Sequence, residues 1–523
     1  MSDLRSTTSD WGYSPRMDRR AALLAILAGV GAGSAGFGVA ELTAAVVGIS
    51  PISAVSSWVI DLSPSWLKEA VIALAGTSDK LVLLITLAAV VVIVALLAGL
   101  LEKARPPWGA VSFAVLGMVA LIGILTRTNA DALSPIPMVV GTALAVLLLR
   151  LFTSRLRRGD RLPADSAGAT RRSVLIGAGA AAVLGVVAAF GAQSLSSAGR
   201  ALEAARRAVR LPSPVTAAPP IPAGAELAVP GTASLLTANE DFYRIDTAVF
   251  LPNLNPGEWR LRVSGMVERP IEIGYAQLLE LPMQESRITL ACVSNPVGGE
   301  YISTATWLGY PVKKLLEWAK PLPGADMVLS KSSDGFTAGT PLEALTDGRD
   351  ALIAVGMNGQ PLPREHGFPA RMVVPGLYGY VSATKWLVEL ELTRFDEVDA
   401  YWTQRGWGVR GPIKLSSRID VPREGADLEL GEVVVAGVAW HQHTGISAVQ
   451  VSVDGGTWHD ADLGAELSID TWRQWKWTWN ATPGAHTLRV RAINAEGDEQ
   501  VETEQSVLPD GATGLHTIQV VVA

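Results

Sequence analysis

Five uninterrupted apolar runs near the start of this chain constrain its fold more than any other feature: residues 21–40, 81–101, 106–126, 132–149 and 173–199. At about 1.5 Å per helical residue, each is long enough to cross roughly 30 Å of hydrocarbon. Residues 51–75 are also apolar, but Asp61, Pro64, Lys68 and Glu69 interrupt them, which predicts an interfacial or re-entrant loop. A mean hydropathy of +0.29 with 18% charged residues is too apolar for an ordinary soluble protein. At 523 residues the chain is also too long for one compact core.

Charge divides the chain as well. Residues 1–210 hold 20 Lys/Arg against 12 Asp/Glu, a net of +8, and the remainder holds 23 against 38, a net of −15. Cytoplasmic flanks are enriched in Lys and Arg. An inside N-terminus places Arg5, Arg16, Arg19, Arg20, Lys103, Arg105, Arg150, Arg155, Arg157, Arg158, Arg161, Arg171 and Arg172 inside, against Lys68, Lys80 and Arg127 outside. Five crossings then put everything after Gly199 outside the cytoplasm, in a multi-pass cell-membrane protein. Arg200, Arg206, Arg207 and Arg210 run against that assignment, although the rule weakens beside a long translocated domain. Thr170-Arg171-Arg172-Ser173-Val174-Leu175 looks like a twin-arginine export signal, with an ordinary arginine-rich stop-transfer flank as the alternative.

The expected organisation is a membrane domain over 1–210, a Pro/Ala-rich extended tether over 211–234, an α+β domain over 235–409 and a β-sandwich over 410–523. A single cysteine excludes an intramolecular disulfide, a multi-cysteine cluster and a C-x-x-C-H haem site. All six histidines follow residue 360, so the membrane part has none to hold a haem, and electrons would pass to a separate partner. Apart from Glu41, the spans carry no intramembrane charge to mark a transport path.

Within the α+β region, residues 259–263 and 385–392 read as strands, 275–281 and 312–318 as helices, and Asn255-Pro256-Gly257 and Asn358-Gly359 as turns. At its middle, residues 289–299 read as a strand running into a loop that ends in Gly298-Gly299, with Cys292 at the strand end. The glycine pair would let a ligand approach the backbone. Taken alone, such a cysteine is more often a small buried hydrophobe than a ligand.

The surrounding blocks narrow that choice. Glu240-Asp241-Phe242-Tyr243-Arg244 stands upstream, the cysteine segment continues into Ile302-Ser303-Thr304-Ala305-Thr306-Trp307, and a block from His366 through Arg371 to Gly376 leads to Lys385-Trp386. In order and wording these blocks resemble the molybdopterin domain of the sulfite-oxidase family, over roughly residues 235–523. The resemblance implies a molybdenum–molybdopterin cofactor, with Cys292 as the protein's thiolate ligand to the metal. It places His366, Arg371 and Lys385 as positive donors to the pterin phosphate, Arg244 as the residue orienting a substrate oxyanion, and Tyr243, Ser294 and Asn295 among the cofactor contacts. A soft sulfur donor suits such a metal, and arginine can grip an anion through two parallel hydrogen bonds. The competing explanation for each cation is an ordinary ion pair.

Two departures stand on the substrate side. Pro296-Val297 replaces an arginine pair typical of sulfite oxidases, and Tyr401-Trp402-Thr403-Gln404-Arg405-Gly406-Trp407 stands where those enzymes place a pocket tyrosine. Both remove polar groups, which counts against sulfite as substrate.

Beyond residue 410, strands are expected over 433–440, 448–453, 474–479, 486–492 and 516–522, with a turn at Asp454-Gly455-Gly456. Residues 451–458 resemble the family's immunoglobulin-like second domain, which implies a possible homodimer. Trp472, Trp475, Trp477 and Trp479 either line that interface or fill the core. His441 and His443 are too few to make a metal site and are expected on one exposed strand face.

The function expected is oxygen-atom transfer on a small oxyanion or sulfoxide-like molecule, with electrons exchanged with a separate redox partner. Membrane lipid is the other expected partner, and nucleic acid is not one. The alternative is a non-catalytic membrane-anchored binding or structural protein built on a relic molybdopterin domain.

Overall fold

The computed structural model describes residues 18–47, 50–64, 67, 71, 79–126, 132–194, 197–248 and 251–523. Arg5, Arg16, Lys68, Glu69 and Arg127 lie outside the described residues. The chain forms two compact units, Met1–Ser196 and Ser197–Ala523.

The first unit contains α1 (Arg19–Val47), α2 (Pro51–Leu62), α3 (Asp79–Ala104), α4 (Trp108–Leu125), α5 (Ile136–Gly159) and α6 (Ala164–Ser194). Among the described residues, all but α2 are long and apolar enough to cross a membrane. Small residues let α1 meet its neighbours backbone to backbone. A Cβ at Gly29 would strike α3 at Ala95 and Gly99, one at Gly36 would strike α5 at Gly141, and one at Gly38 would strike α6 at Gly185. Such approach is how helices associate where lipid supplies no hydrophobic drive.

The loop expected over residues 51–75 is helical over its first half. Ser50 caps α2 by accepting the Ser53 N–H, and Pro51 occupies the first helical position, where no N–H is needed. Glu41 accepts from Ser50 Oγ at 2.7 Å and from the Ile52 N–H at 2.9 Å, so the carboxylate of α1 ties down the start of α2. At 12 residues α2 spans only about 18 Å. The last apolar run also differs from expectation: α6 begins at Ala164, with Arg171 and Arg172 inside it, and a separate α7 (Ser197–Ala208) belongs to the second unit. Leu202 of α7 is buried in that unit's core, and Arg206 and Arg207 pair with Glu203 of the same helix.

Residues 211–234 are extended, as their prolines dictate, but they are held rather than loose. The Val215 N–H donates to Met283 O, the Glu285 N–H to Thr216 O and the Ala465 N–H to Gly224 O, while the Leu227 N–H reaches Gln474 Oε1. The segment is a strap along the globular unit.

Two sheets build the α+β region. One orders Ile271–Gly274, Arg260–Gly265, Leu387–Thr393, Met327–Ser332 and Thr337–Pro341. The other orders Gln284–Ala291, Ile302–Pro311, Leu352–Met357 and Gln360–Pro361, with Arg371–Val373 also pairing on Leu352–Met357. Every residue of Leu352–Met357 is buried, which marks it as a central strand and explains its unbroken apolar run. Trp307, Ile288, Leu261 and Phe368 lie in the core between these layers.

The carboxy-terminal region folds into a four-stranded and a five-stranded sheet that share a core of Val435, Val449, Val451, Trp475, Leu488 and Val520. Trp475 and Trp479 are buried, Trp477 packs partly buried against them, and Trp472 donates its indole N–H to Leu235 O inside the α+β core. The tryptophans therefore fill cores. His441 and His443 are not on a strand, because Gly431–Trp440 ends before them and the chain turns at His443, whose φ is +68°. His441 Nδ1 meets Asn494 and His443 Nδ1 meets Asp470, so the two rings have different partners.

Candidate active site

Antiparallel pairing of Gln284–Ala291 with Ile302–Pro311 brings Ala291 opposite Ile302, and Cys292 extends that pairing by donating its N–H to Tyr301 O at 2.9 Å. The chain then turns back. Asn295 donates its N–H to Cys292 O, its side-chain oxygen accepts the Tyr301 N–H at 2.9 Å, and Gly299 donates to Pro296 O. The Cys292 Sγ lies 2.9 Å from Ser294 Oγ. Desolvation pushes the Cys292 thiol up from its ordinary range, while Ser294 and the charge of Lys385 oppose that shift.

The glycine pair has a different cause from the one expected. Gly298 has a φ of +75°, and a Cβ there would overlap the His516 imidazole; Gly299 O accepts from Arg418 at 2.8 Å. Gly298 is bare because the carboxy-terminal region packs on it, whereas a Cβ at Gly299 would strike Asn295 Oδ1 and Pro296 within the loop. That region also grips the strand leading to Cys292, since the Thr289 N–H donates to Asp470 O and Thr289 Oγ1 accepts the Trp472 N–H.

A group of buried cations lies near the thiol. Arg371 is 3% exposed, stands over the Trp307 ring and donates to the carbonyls of Met372, His366 and Ala383. Among the described residues no carboxylate pairs with it, and burial lowers it to about 10. The Lys385 ammonium donates to Asp246 Oδ2 and Glu365 O, both at 3.0 Å, and burial lowers it to about 8 against the opposing pull of Asp246. Arg244 binds the same Asp246 oxygen at 3.0 Å from a half-exposed position, so the structure groups it with Lys385. Tyr243 lies within electrostatic reach of both Cys292 and Arg371, and its hydroxyl is raised by burial first and by Cys292 second. Its N–H donates to Ser303 Oγ and its ring stacks on Phe242.

His366 is not the positive donor expected. It is 1% exposed, and burial, with Lys385 and Arg371 nearby, lowers it to about 3. Its Nε2 lies 3.0 Å from Asn239 O, which can only accept, so Nε2 carries the proton and Nδ1 is a bare acceptor. Among the described residues, no partner meets that buried Nδ1.

Sequence reasoning missed Asp246, Asp334, Tyr378, Arg418 and His516. Asp246 stands two residues after Arg244, an Arg-x-Asp spacing that could have signalled a shared carboxylate. The Asp334 carboxyl is raised by burial, with Asp246 adding to the effect. Tyr378, also within the field of Cys292, lines a narrow cleft beside the cysteine loop with Pro296, Val297, Ser416, Trp440 and Ala512. None of the residues lining that cleft is charged.

Residues 248–402 match the family described as the oxidoreductase molybdopterin binding domain. Sulfite oxidase of Gallus gallus is 31% identical over 333 residues, covering 55% of this chain and 71% of that protein. The mitochondrial sulfite oxidase of Mus musculus is 32% identical over 273 residues, covering 43% of this chain and 50% of that protein. The chain thus spans about half the length of its mammalian relatives. Among solved structures, the sulfane dehydrogenase SoxCD from Paracoccus pantotrophus overlaps 55% of this chain and 81% of its own, at 23% identity and a TM-score of 0.47. On the extent of its match to the Gallus gallus protein and on its molybdopterin-binding domain, this chain belongs to the sulfite oxidase family and is an oxidoreductase whose cofactor is molybdopterin-bound molybdenum.

Proposed function

We propose that the second unit is an extracytoplasmic oxygen-atom transferase, anchored in the cell membrane by α1 and α3–α6, that acts on a small molecule and exchanges electrons with a separate redox protein. The observation that carries this reading is a buried guanidinium and a buried imidazole acceptor that, among the described residues, lack a carboxylate and a donor respectively, grouped near the single thiol. Uncompensated groups of this kind are costly to bury and call for a ligand. An anionic, N–H-bearing molecule with a soft metal fits all three needs.

In this reading Cys292 is the metal ligand, and a bound cation would hold its thiol deprotonated despite burial. Arg371 and Lys385 hold the phosphate, the first through its planar fork and the second as a point charge. His366 Nδ1 accepts from a pterin N–H, which suits a neutral ring better than the phosphate does. Ser294 and Asn295 fix the cysteine loop, Tyr243 spans the thiol and the arginine, and Arg244 orients the substrate's oxygen from the open side. When bound, the molybdenum cofactor supplies two-electron oxygen-atom transfer.

Pro296-Val297 in place of the arginine pair typical of sulfite oxidases favours a neutral sulfoxide-like substrate over sulfite. Turnover tests this directly: with a reduced viologen dye as electron donor, a dialkyl sulfoxide is expected to give sulfide and water. Oxidation of sulfite at a kcat/KM equal to or above that for the sulfoxide would overturn the preference.

A further inference from the structure

We infer that a cleft at the charged end of α3, α4 and α5 binds the headgroup of an anionic phospholipid, an inference that rests on these helices crossing a membrane. The α5 helix changes character along its length, apolar up to Leu149 and then carrying Arg150, Arg155, Arg157 and Arg158. Arg150, Ser154 and Arg157 recur at i, i+4 and i+7, so they share one face. Leu147 and Leu151 continue that wall toward the apolar part of the helix. Glu102, at the end of α3, and Pro106 and Pro107, in the turn to α4, form the opposite wall of an open cleft of about 440 Å³.

The polar groups are distributed as a phosphodiester requires. Glu102 is 1% exposed and already committed, because its Oε2 accepts the Ala110 N–H at 2.9 Å near the start of α4. Arg157 donates to Glu102 O, which fixes its guanidinium at the cleft wall. Arg150 is 57% exposed with its Nε 3.9 Å from Glu102 Oε1, beyond hydrogen-bond reach, so its fork stays open to an outside anion. Two guanidiniums therefore face one committed carboxylate, while the Ser154 hydroxyl donates to Leu151 O.

The apolar side decides which anion. Leu147 is 64% and Leu151 40% exposed, and they lie where acyl chains would follow a headgroup held between the arginines. Free phosphate would use the arginines but not the leucines. Basic pockets between helices at the membrane surface suit such lipids.

The test uses full-length protein in detergent with equal phosphatidylglycerol and phosphatidylcholine, delipidated stepwise, with retained lipid measured by native mass spectrometry. Wild type is expected to retain phosphatidylglycerol selectively. Arg150→Gln is expected to lower that selectivity about fivefold, whereas Arg155→Gln, which removes the same charge from an exposed position outside the cleft, leaves it unchanged. Equal losses in the two variants, or displacement of the lipid by millimolar inorganic phosphate, would overturn the inference. Because Arg150 is exposed, its variant is expected to fold, and an unchanged melting temperature checks that. Protein that needs detergent yet shows no lipid preference sinks this inference alone; protein that stays soluble without detergent sinks the membrane reading with it.

Discussion

Arg371 donates to three main-chain carbonyls and pairs with no carboxylate among the described residues, and Lys385 shares the Asp246 carboxylate with Arg244. If these groups hold the cofactor phosphate, Arg371→Gln lowers pterin retention by at least about tenfold, in line with the cost of truncating a buried charge contact. The fluorescence of oxidised pterin released after gel filtration reads that loss. His366 sets a pH dependence of its own. The unfolded imidazole takes a proton near pH 6.5 and the folded one only at about 3. The unfolded chain therefore binds one proton more between those values, and stability falls as pH falls through that window, at most on the order of 1 kcal/mol per pH unit. Urea midpoints of cofactor-free protein between pH 6.5 and 4 should fall less steeply in His366→Gln than in wild type. The resemblance to the sulfite-oxidase family singled out His366, Arg371 and Lys385. It could not show the charge of His366, because that charge depends on Arg371 and Lys385 being folded against the ring.

At the scale of elements, the loop from Cys292 to Gly299 is shaped by contacts from a region more than a hundred residues away in sequence. Gly298→Ala meets both a positive φ and the His516 ring, and should cost about 1–3 kcal/mol. The double variant with His516→Ala should recover part of that loss in thermal unfolding; strictly additive losses would show that the ring does not constrain the loop. The glycine pair was visible in the sequence and its reason was not, since it lies in the His516 ring for Gly298 and in the folded-back Asn295 and Pro296 for Gly299. The strand Gly431–Trp440 was legible from its apolar run and Gly484–Asn494 from its alternation. The apolar spans were legible too, because hydrocarbon demands about 20 apolar residues in a row. Their ends were not: α5 continues through Arg150–Arg158 to Gly159, and α6 begins nine residues before its apolar run, at Ala164. Helical hydrogen bonding does not stop where hydropathy does.

For the whole molecule, the proposed division between a membrane part and an exported domain rests on where Lys and Arg fall along residues 1–210. Cysteine introduced in place of exposed Asp160 should stay unlabelled by an impermeant maleimide in intact cells, whereas cysteine in place of exposed Lys320 should be labelled. The reverse pattern would invert the orientation. The central claim concerns Cys292, and the direct measurement is molybdenum and pterin content per chain in detergent-purified protein, from a host able to make the cofactor, beside Cys292→Ser. About one molybdenum and one pterin in wild type, with loss of thiolate-to-metal absorption in the variant, is the predicted result. Wild type without molybdenum and pterin, or a variant with an unchanged spectrum, would contradict the assignment of Cys292 as the ligand.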